Sequence, residues 1–355
     1  MLPRSRRTGR NRMGHPARRY AWMLLSACVL LGWATGSAAS SYEKIRETQA
    51  LMDTFFTITV YSDDPAAAKG AIRSAFERIA EIESELDIYN ETSELAVLNR
   101  EKALAAPSED FLKNIASALY FSRLSDGAFD ITIQPLLDLY TSTFSESESP
   151  PSIDRIEKEL RKVDYRRVVV EERSITIGGD QRITLGGIAK GYAVEEAVDI
   201  LRRHGLDMAL VDAGGNMRAL GEKPDGRWQI AIADPRDKTN YITIIPMNDN
   251  AVSTSGDYER YFDETMAYHH IIDPGTGYSA RELISATVVT DSAFDADSLS
   301  TAVFVLGKER GMELIESLPG VEGLIITRER EIVRSSGFAG SEILGRSEIP
   351  MLKIL

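Results

Sequence analysis

Trp228-Gln-Ile-Ala-Ile-Ala233, Tyr241-Ile-Thr-Ile-Ile-Pro246, Ala251-Val-Ser-Thr-Ser255 and Ala267-Tyr-His-His-Ile-Ile272 follow one another with no helical pattern between them. Each is short, and most are rich in β-branched or aromatic residues, so each reads as a strand. Strands that arrive in runs between helices favour an α+β fold, with mixed, largely antiparallel sheets packed with helices, over a doubly wound parallel sheet.

Working outward, residues 284–290, 323–327 and 332–335 read as further strands, and 292–306 and 311–317 as helices separated by Gly307. Upstream, 208–212 is a strand running into Gly214-Gly215-Asn216, and 188–204 is a helix. Residues 167–170, 174–177 and 182–185 read as short strands. Helices are expected over 153–162, 134–140 and 108–125, with a helical turn at 93–99. Asp63-Asp64-Pro65 caps a helix over 66–86, where Ala68, Ile72, Ala75, Phe76, Ile79, Ile82 and Leu86 recur at helical spacing. Thr54-Phe-Phe-Thr-Ile-Thr-Val-Tyr61 is a strand, and the breaker-rich stretch 144–151 reads as a mobile loop. No repeat or low-complexity tract interrupts the chain.

With 355 residues, 43% hydrophobic and 27% charged, the composition is that of a globular chain with ample core material. Residues 1–40 carry seven arginines and no acids, so the remainder sets 34 bases against 54 acids, a net charge of −20. Such an acidic body argues against wrapping nucleic acid.

The first forty residues read as an address. Arg4, Arg6, Arg7, Arg10, Arg12, Arg18 and Arg19 form a positive segment, followed by an apolar run of thirteen from Ala21 to Trp33, short for a membrane span. Ser37-Ala38-Ala39 suits cleavage, while Leu25-Ser26-Ala27-Cys28 has the form of a lipoprotein signal around the only cysteine. Residues 1–39 are therefore an export signal, a lipoprotein signal or an uncleaved anchor, 40–48 a tether, and 49–345 the folded body. Every one of these readings places the body on the periplasmic side of a bacterial inner membrane or in the periplasm.

Five stretches could carry chemistry. His269-His270-Ile271-Ile272-Asp273-Pro274-Gly275-Thr276-Gly277 brings two imidazoles into a rigid turn. Thr184-Leu185-Gly186-Gly187-Ile188-Ala189-Lys190-Gly191 passes from strand through a diglycine to a helix N-terminus, where free N–H groups and Lys190 suit an anion. Asp297 and Thr301 share a helical face, a donor pair suited to a hard cation such as Mg2+. Ser125-Asp126-Gly127-Ala128-Phe129-Asp130 and Val211-Asp212-Ala213-Gly214-Gly215-Asn216 each set an acid beside glycine. Taken singly, each stretch reads equally as an ordinary turn or helix start.

In their order and spacing these stretches resemble the ApbE family of flavin transferases, the FAD:protein FMN transferases. The resemblance runs from about Met52 to about Leu306. It takes in Met52-Asp53-Thr54, Leu86-Asp-Ile-Tyr89, Ser93-Glu94-Leu95, Leu98-Asn99, Gly127-Ala128-Phe129-Asp130, Gly186-Gly187-Ile188-Ala189-Lys190-Gly191, Gly214-Gly215-Asn216, His270 to Gly277 and Ala296-Asp297 to Thr301-Ala302. It implies an ApbE-like (T-fold-like) catalytic domain that splits FAD at its pyrophosphate with Mg2+, releases AMP and joins FMN to a threonine or serine of an acceptor protein, typically a membrane redox-pump subunit. By the same resemblance Met52, Tyr89, Ala128, Phe129, Asp130, Thr184, Lys190 and Ile271 contact FAD. The Gly187 carbonyl, Asp297 and Thr301 hold Mg2+, His270 is the base and Lys190 assists. Thr184 stands where the family more often has an acid. The rival readings are a Mg2+-dependent FAD pyrophosphatase and a non-enzymatic FAD-binding protein.

Overall fold

The computed structural model describes residues 42–147, 149–338 and 341–342. The leader, Cys28 and the cleavage site at Ala39 lie outside them, as do residues 343–345 at the expected domain end. In chain order the elements are β1 (Glu43–Leu51), β2 (Thr54–Ser62), α1 (Pro65–Leu86), α2 (Glu94–Glu101), β3 (Ala103–Ala105), α3 (Glu109–Leu124), α4 (Gln134–Ser147), α5 (Ile153–Leu160), β4 (Val169–Glu171), β5 (Ser174–Thr176) and α6 (Ala189–Arg203). There follow β6 (Ala209–Ala213), β7 (Asn216–Leu220), β8 (Trp228–Asp234), β9 (Asp237–Met247), β10 (Ala251–Gly256), β11 (Leu283–Thr290), α7 (Ala293–Ser317), β12 (Glu322–Thr327), β13 (Ile332–Arg334) and β14 (Ser341–Glu342).

The main sheet has eight strands in the order β1-β2-β6-β7-β10-β11-β12-β13, each pair antiparallel. Period-2 alternation sends Phe56, Ile58, Val60, Val211, Ala286 and Val288 to one face, where they share a core with buried residues of α1, α6 and α7. Leu210, Met217, Val252 and Val289 point to the other face and meet Trp228, Ile230, Ile232, Ile245 and Met247 of the small sheet β14-β9-β8. The fold is the expected α+β arrangement, with a core on both faces of the sheet.

Local chemistry explains the boundaries. The Asp64 carboxylate accepts the N–H groups of Ala66 and Ala67 at 3.1 and 3.0 Å, and Pro65 opens α1. In α7 the backbone at Gly307 is non-helical (φ 80°, ψ −169°), so the break expected there exists. The Glu282 carboxylate accepts the Lys308 N–H at 2.9 Å and caps the second half of α7.

Four expectations are corrected. Residues 43–48, read as part of a tether, belong to β1 and pair with β2 from Glu43↔Ser62 to Leu51↔Thr54. Only Ile45 of this strand is buried, so an outer strand carrying charges along its length looks like a linker. Residues 144–147, read as mobile loop, are the last turn of α4, where Phe144 stacks on Phe262 at 5.8 Å. Residues 182–185 make no strand ladder. The Asn99 amide substitutes for a partner strand, donating to Ile183 O at 2.8 Å and accepting from Ile183 N at 2.7 Å. Residues 267–272 form only isolated bridges, Tyr261↔His269 and Ile272↔Ser279, because their amides turn to loop partners on both sides.

Asn99 is therefore the side chain that aims the segment entering α6. Truncation by Asn99→Ala strands two buried backbone groups of Ile183, and about 2–4 kcal/mol of stability should be lost in urea unfolding with an unchanged m-value. A loss under about 0.5 kcal/mol would show that Asn99 does not carry this segment.

Candidate functional site

The site is built where α6 and α7 cross. Gly191, in the first turn of α6, donates its N–H to Asp297 Oδ2 at 2.9 Å. A Cβ at Gly191 would lie 2.3 Å from Ala293 O and 2.7 Å from Asp297 Cβ, so only glycine permits this approach. Asp297 is buried at 4% exposure. Burial pushes its carboxyl upward in pKa, against the pull of the Lys190 charge and the Gly191 N–H. One turn on, Thr301 Oγ1 donates to Asp297 O at 3.2 Å. The Cβ position of Gly187 lies 3.3 Å from Thr301 Oγ1 and 3.1 Å from Phe129 Cε2. Gly187 and Phe129, from distant parts of the sequence, are thus brought beside the Asp297–Thr301 turn of α7.

The side-chain oxygens of this group are one carboxylate and one hydroxyl, with the Gly187 backbone alongside. Among the described residues no group of three or more His, Cys, Asp or Glu side chains is placed to hold a metal ion, so any cation here would rest on few protein ligands. An oxygen set of low charge fits a hard cation that keeps water and phosphate in its shell. Lys190, half-buried, donates to Gly186 O at 3.1 Å, and its charge reaches both Asp297 and His270.

The two histidines have opposite surroundings. His269 is fully buried: Nε2 lies 2.8 Å from the Ala280 carbonyl, Nδ1 accepts from Ile271 N at 3.3 Å, and the ring meets Phe304 edge-on. A carbonyl only accepts, so Nε2 carries the proton and both nitrogens are engaged. His270 is half-buried, with Nδ1 2.9 Å from the Arg260 carbonyl. By the same logic Nδ1 is protonated and Nε2 holds the free lone pair. Loss of hydration in its crowded surroundings pushes the His270 pKa down to about 4, although the Arg260 carbonyl favours the charged form. His269 is therefore a structural pin, and His270 is the imidazole free to take a proton.

The turn after them is rigid. Asp273 Oδ1 accepts from Gly275 N at 2.8 Å, Oδ2 accepts from Thr276 Oγ1 at 2.9 Å, and the Tyr140 hydroxyl donates to Gly277 O at 3.1 Å. Gly277 has φ 77°, and a Cβ there would fall 2.7 Å from Ile156.

The remaining predicted contacts are spread around this centre. Met52 and Asp53, at φ 51° and 58°, form the two-residue turn between β1 and β2, and Met52 N donates to Glu83 Oε1 at 2.5 Å. Asp53 lies 4.0 Å from Arg260, linking this turn to the His270 loop. Tyr89 is 80% exposed on the turn after α1. Ala128 is half-buried, Ile271 is buried, and Thr184 Oγ1 accepts from Gly186 N at 3.2 Å. Asp130 is buried, and its carboxylate accepts from Thr132 N, Thr132 Oγ1 and Tyr165 N at 2.8, 2.6 and 2.9 Å. That carboxylate holds its own loop together and, through it, Phe129. The turn acid Asp212 likewise accepts from Gly215 N at 3.1 Å.

Three hydroxyl side chains had no assigned part in the sequence reading. Ser253 and Ser255 on β10, with Ser300, form a hydroxyl chain at 3.1 and 2.9 Å, and Ser255 lies 3.3 Å from Thr301 Oγ1. Asn216 accepts from Ser253. The signal was available: Ser253 and Ser255 are i and i+2 on a strand, so they share the face turned to α7. A cleft of about 480 Å³ lined by Asp273, Tyr278, Arg281, Glu282 and Phe304 lies behind the His270 turn, and its lining includes none of Asp297, Thr301 and Lys190. The site is thus defined by its donors.

A lysine and a hard-cation donor set beside a free imidazole is an arrangement for handling a phosphate ester. The chain belongs to the ApbE family, whose sequence model matches residues 52–325. A FAD:protein FMN transferase of Treponema pallidum is 31% identical over 87% of this chain and 92% of its own, and one of Vibrio cholerae is 30% identical over 83% and 90%. The crystal structure of the ApbE protein of Thermotoga maritima superposes with a TM-score of 0.75 at 33% identity, covering 83% of this chain and 97% of that one. The flavin transferase ApbE of Vibrio cholerae gives 0.75 at 28% identity, covering 84% and 98%.

Two outcomes follow from this geometry. Gly191→Ala should cost about 2–3 kcal/mol, read by urea unfolding, because the added methyl meets backbone. The His270 imidazole, followed by NMR through its ring protons, should stay neutral as pH falls through 6 and titrate near 4. Since its unfolded value is higher, the folded state binds fewer protons between about 4 and 6.5, and stability should fall as pH falls through that window. Titration near 6.5 would show that burial does not hold this ring neutral.

Proposed function

We propose that the protein is a Mg2+-dependent FAD:protein FMN transferase. The observation that carries the reading is the convergence of Gly187, Asp297 and Thr301 with Lys190, whose charge also reaches His270. The names of the curated relatives support it. In the reaction the hydroxyl oxygen of an acceptor threonine or serine attacks the FMN-side phosphorus. The P–O bond to AMP breaks, AMP leaves with the electron pair, and the hydroxyl proton passes to His270 Nε2. A neutral imidazole with its other nitrogen fixed on Arg260 is a suitable acceptor for that proton.

The Gly187 carbonyl, Asp297 and Thr301 would hold the cation, which when bound supplies positive charge at the pyrophosphate. Lys190 adds a second positive charge beside the leaving group. Met52, Tyr89 and Phe129 would wall the flavin, with Ala128, Ile271 and Thr184 beside them. Asp130 acts from behind by holding Phe129. The acceptor is proposed to be a separate protein, a subunit of a membrane redox pump. The enzyme is proposed to work on the periplasmic side of the inner membrane, tethered at Cys28 or released near Ala39. Among the described residues no helix is long and apolar enough to cross a membrane.

The deciding experiment incubates the protein with FAD, Mg2+ and such an acceptor, and follows AMP and the flavin adduct by mass spectrometry. AMP with an adduct is expected. AMP with free FMN alone would replace the reading with a pyrophosphatase, and intact bound FAD with a binding protein. His270→Ala should keep FAD binding and lose transfer by a factor of about 10²–10⁴, while Asp297→Ala should lose activity and metal response together. Full transfer by His270→Ala would remove it from the base role.

A further inference from the structure

Behind Asp297, on the side away from the proposed substrate, lies a charged pair that the reaction does not use. Gly191 and Glu195 are i and i+4 on α6, and Ala293 and Asp297 are i and i+4 on α7. The two pairs face each other. Gly191 N–H donates to Asp297 Oδ2 at 2.9 Å, and Ala293 N–H donates to Glu195 Oε2 at 2.9 Å. The two helices are therefore joined at two points one turn apart, with the hydrogen bonds running in opposite senses. The same Glu195 oxygen accepts from Arg218 Nη1 at 2.6 Å. Arg218, at 9% exposure, comes from β7 and also donates to Asp291 O, on the loop that leads into α7. Its Nε is buried with no acceptor among the described residues, so Glu195 is the main compensation for its charge.

We propose that Glu195 and Arg218 are a positioning pair for the cation site. They fix the axial register of α7 on α6, and through it the place of the Asp297 carboxylate and Thr301 hydroxyl relative to Gly187. The physical reason is leverage. Asp297 is buried against Gly191 with one hydrogen bond at Oδ2. The rest of the first half of α7, before the break at Gly307, is held mainly by apolar packing of Phe294, Leu299, Val303 and Phe304, which is less directional than a hydrogen bond in fixing axial register. An ion pair at the helix entrance supplies the second fixed point, and it is buried enough to resist salt. Glu195 also accepts the first N–H of α7, a place where a carboxylate is favoured by the helix dipole. Outer groups of this kind commonly control metal affinity without touching the metal.

The inference rests on the proposed role of Asp297 as a cation ligand, and its test separates the two. In the metal-free protein, hydrogen exchange of the Gly191 amide reports the α6–α7 contact directly. Separately, Mn2+ binding followed by electron paramagnetic resonance reports the cation site without turnover. Glu195→Ala and Arg218→Met should speed Gly191 exchange and weaken Mn2+ about 10–100-fold, with FAD affinity in the absence of metal unchanged. Glu195→Gln, whose amide oxygen still accepts from Ala293 but offers Arg218 no charge, should restore only part of both, leaving them between the Glu195→Ala and wild-type values. If the larger truncations fail to fold, Arg218→Lys serves with the same two readouts. Folded variants with wild-type Gly191 exchange and wild-type Mn2+ affinity would overturn the proposal. Faster Gly191 exchange in a protein whose wild-type form binds no Mn2+ would overturn it as a cation-site device, and with it the ligand role of Asp297, while leaving the register itself standing.

Discussion

The distance between α6 and α7 at Gly191 is the constraint on which the site depends. At that crossing the Ala293 carbonyl stands where a side chain would otherwise begin. The closeness does two things at once. It excludes water from Asp297, which makes an isolated negative charge unfavourable, and it delivers one N–H and one lysine charge as partial compensation. A buried carboxylate with incomplete compensation favours a cation more than an exposed one does. The packing of two helices thereby sets the chemistry, and a glycine with no polar side chain is as necessary to the site as the aspartate.

The sheet supplies the platform for the rest. Three of its features lie at one end: the β1–β2 turn at Met52-Asp53, the β6–β7 turn at Gly214-Gly215, and the end of β10 carrying Ser253 and Ser255. Antiparallel pairing brings such turns together automatically, because alternate connections emerge at the same edge. The long excursion from Asp257 to Glu282 hangs over that end. It is held by Asp257 in a bidentate pair with Arg236 at 2.8 and 2.6 Å and by the stack of Tyr140, Phe144 and Phe262. Its rigidity comes from these anchors, since it has almost no secondary structure of its own.

What the sequence made legible follows from how local each signal is. The α1 stripe, the Asp64 cap and the break at Gly307 depend on residues within a turn or two, and they stand as read. The outer strand β1 buries little beyond Ile45, so nothing in its pattern distinguishes it from a tether until β2 is beside it. The Asn99 amide that substitutes for a strand at Ile183 acts across 84 residues, and no local pattern contains it. The closeness of Asp297 and Thr301 was legible because the motif set them one helical turn apart. Ser253 and Ser255 were not legible, because a serine on a strand acquires meaning only from the helix opposite. Asp130 shows the reverse case: the motif marks it, and the fold gives its carboxylate to the backbone N–H groups of Thr132, in its own loop, and of Tyr165, 35 residues on.

The adjacent histidines show how neighbours in sequence come to differ in chemistry. Carbonyl partners fix them in opposite tautomers, His269 through Ala280 and His270 through Arg260. Only the second leaves a ring nitrogen with a lone pair that no protein donor engages among the described residues. Crowding holds that ring neutral far below the usual histidine range, which keeps it ready as an acceptor but makes it a weak base in the empty site. On the proposed reading the deficit is corrected by the substrate itself. A pyrophosphate carries negative charge into the site, and negative charge near an imidazole raises its pKa. Lys190 opposes that rise and moderates it, since its charge acts on His270 as well as on Asp297. The base would then reach its working strength when the ester to be cleaved is in place, which ties proton removal from the acceptor to the presence of FAD.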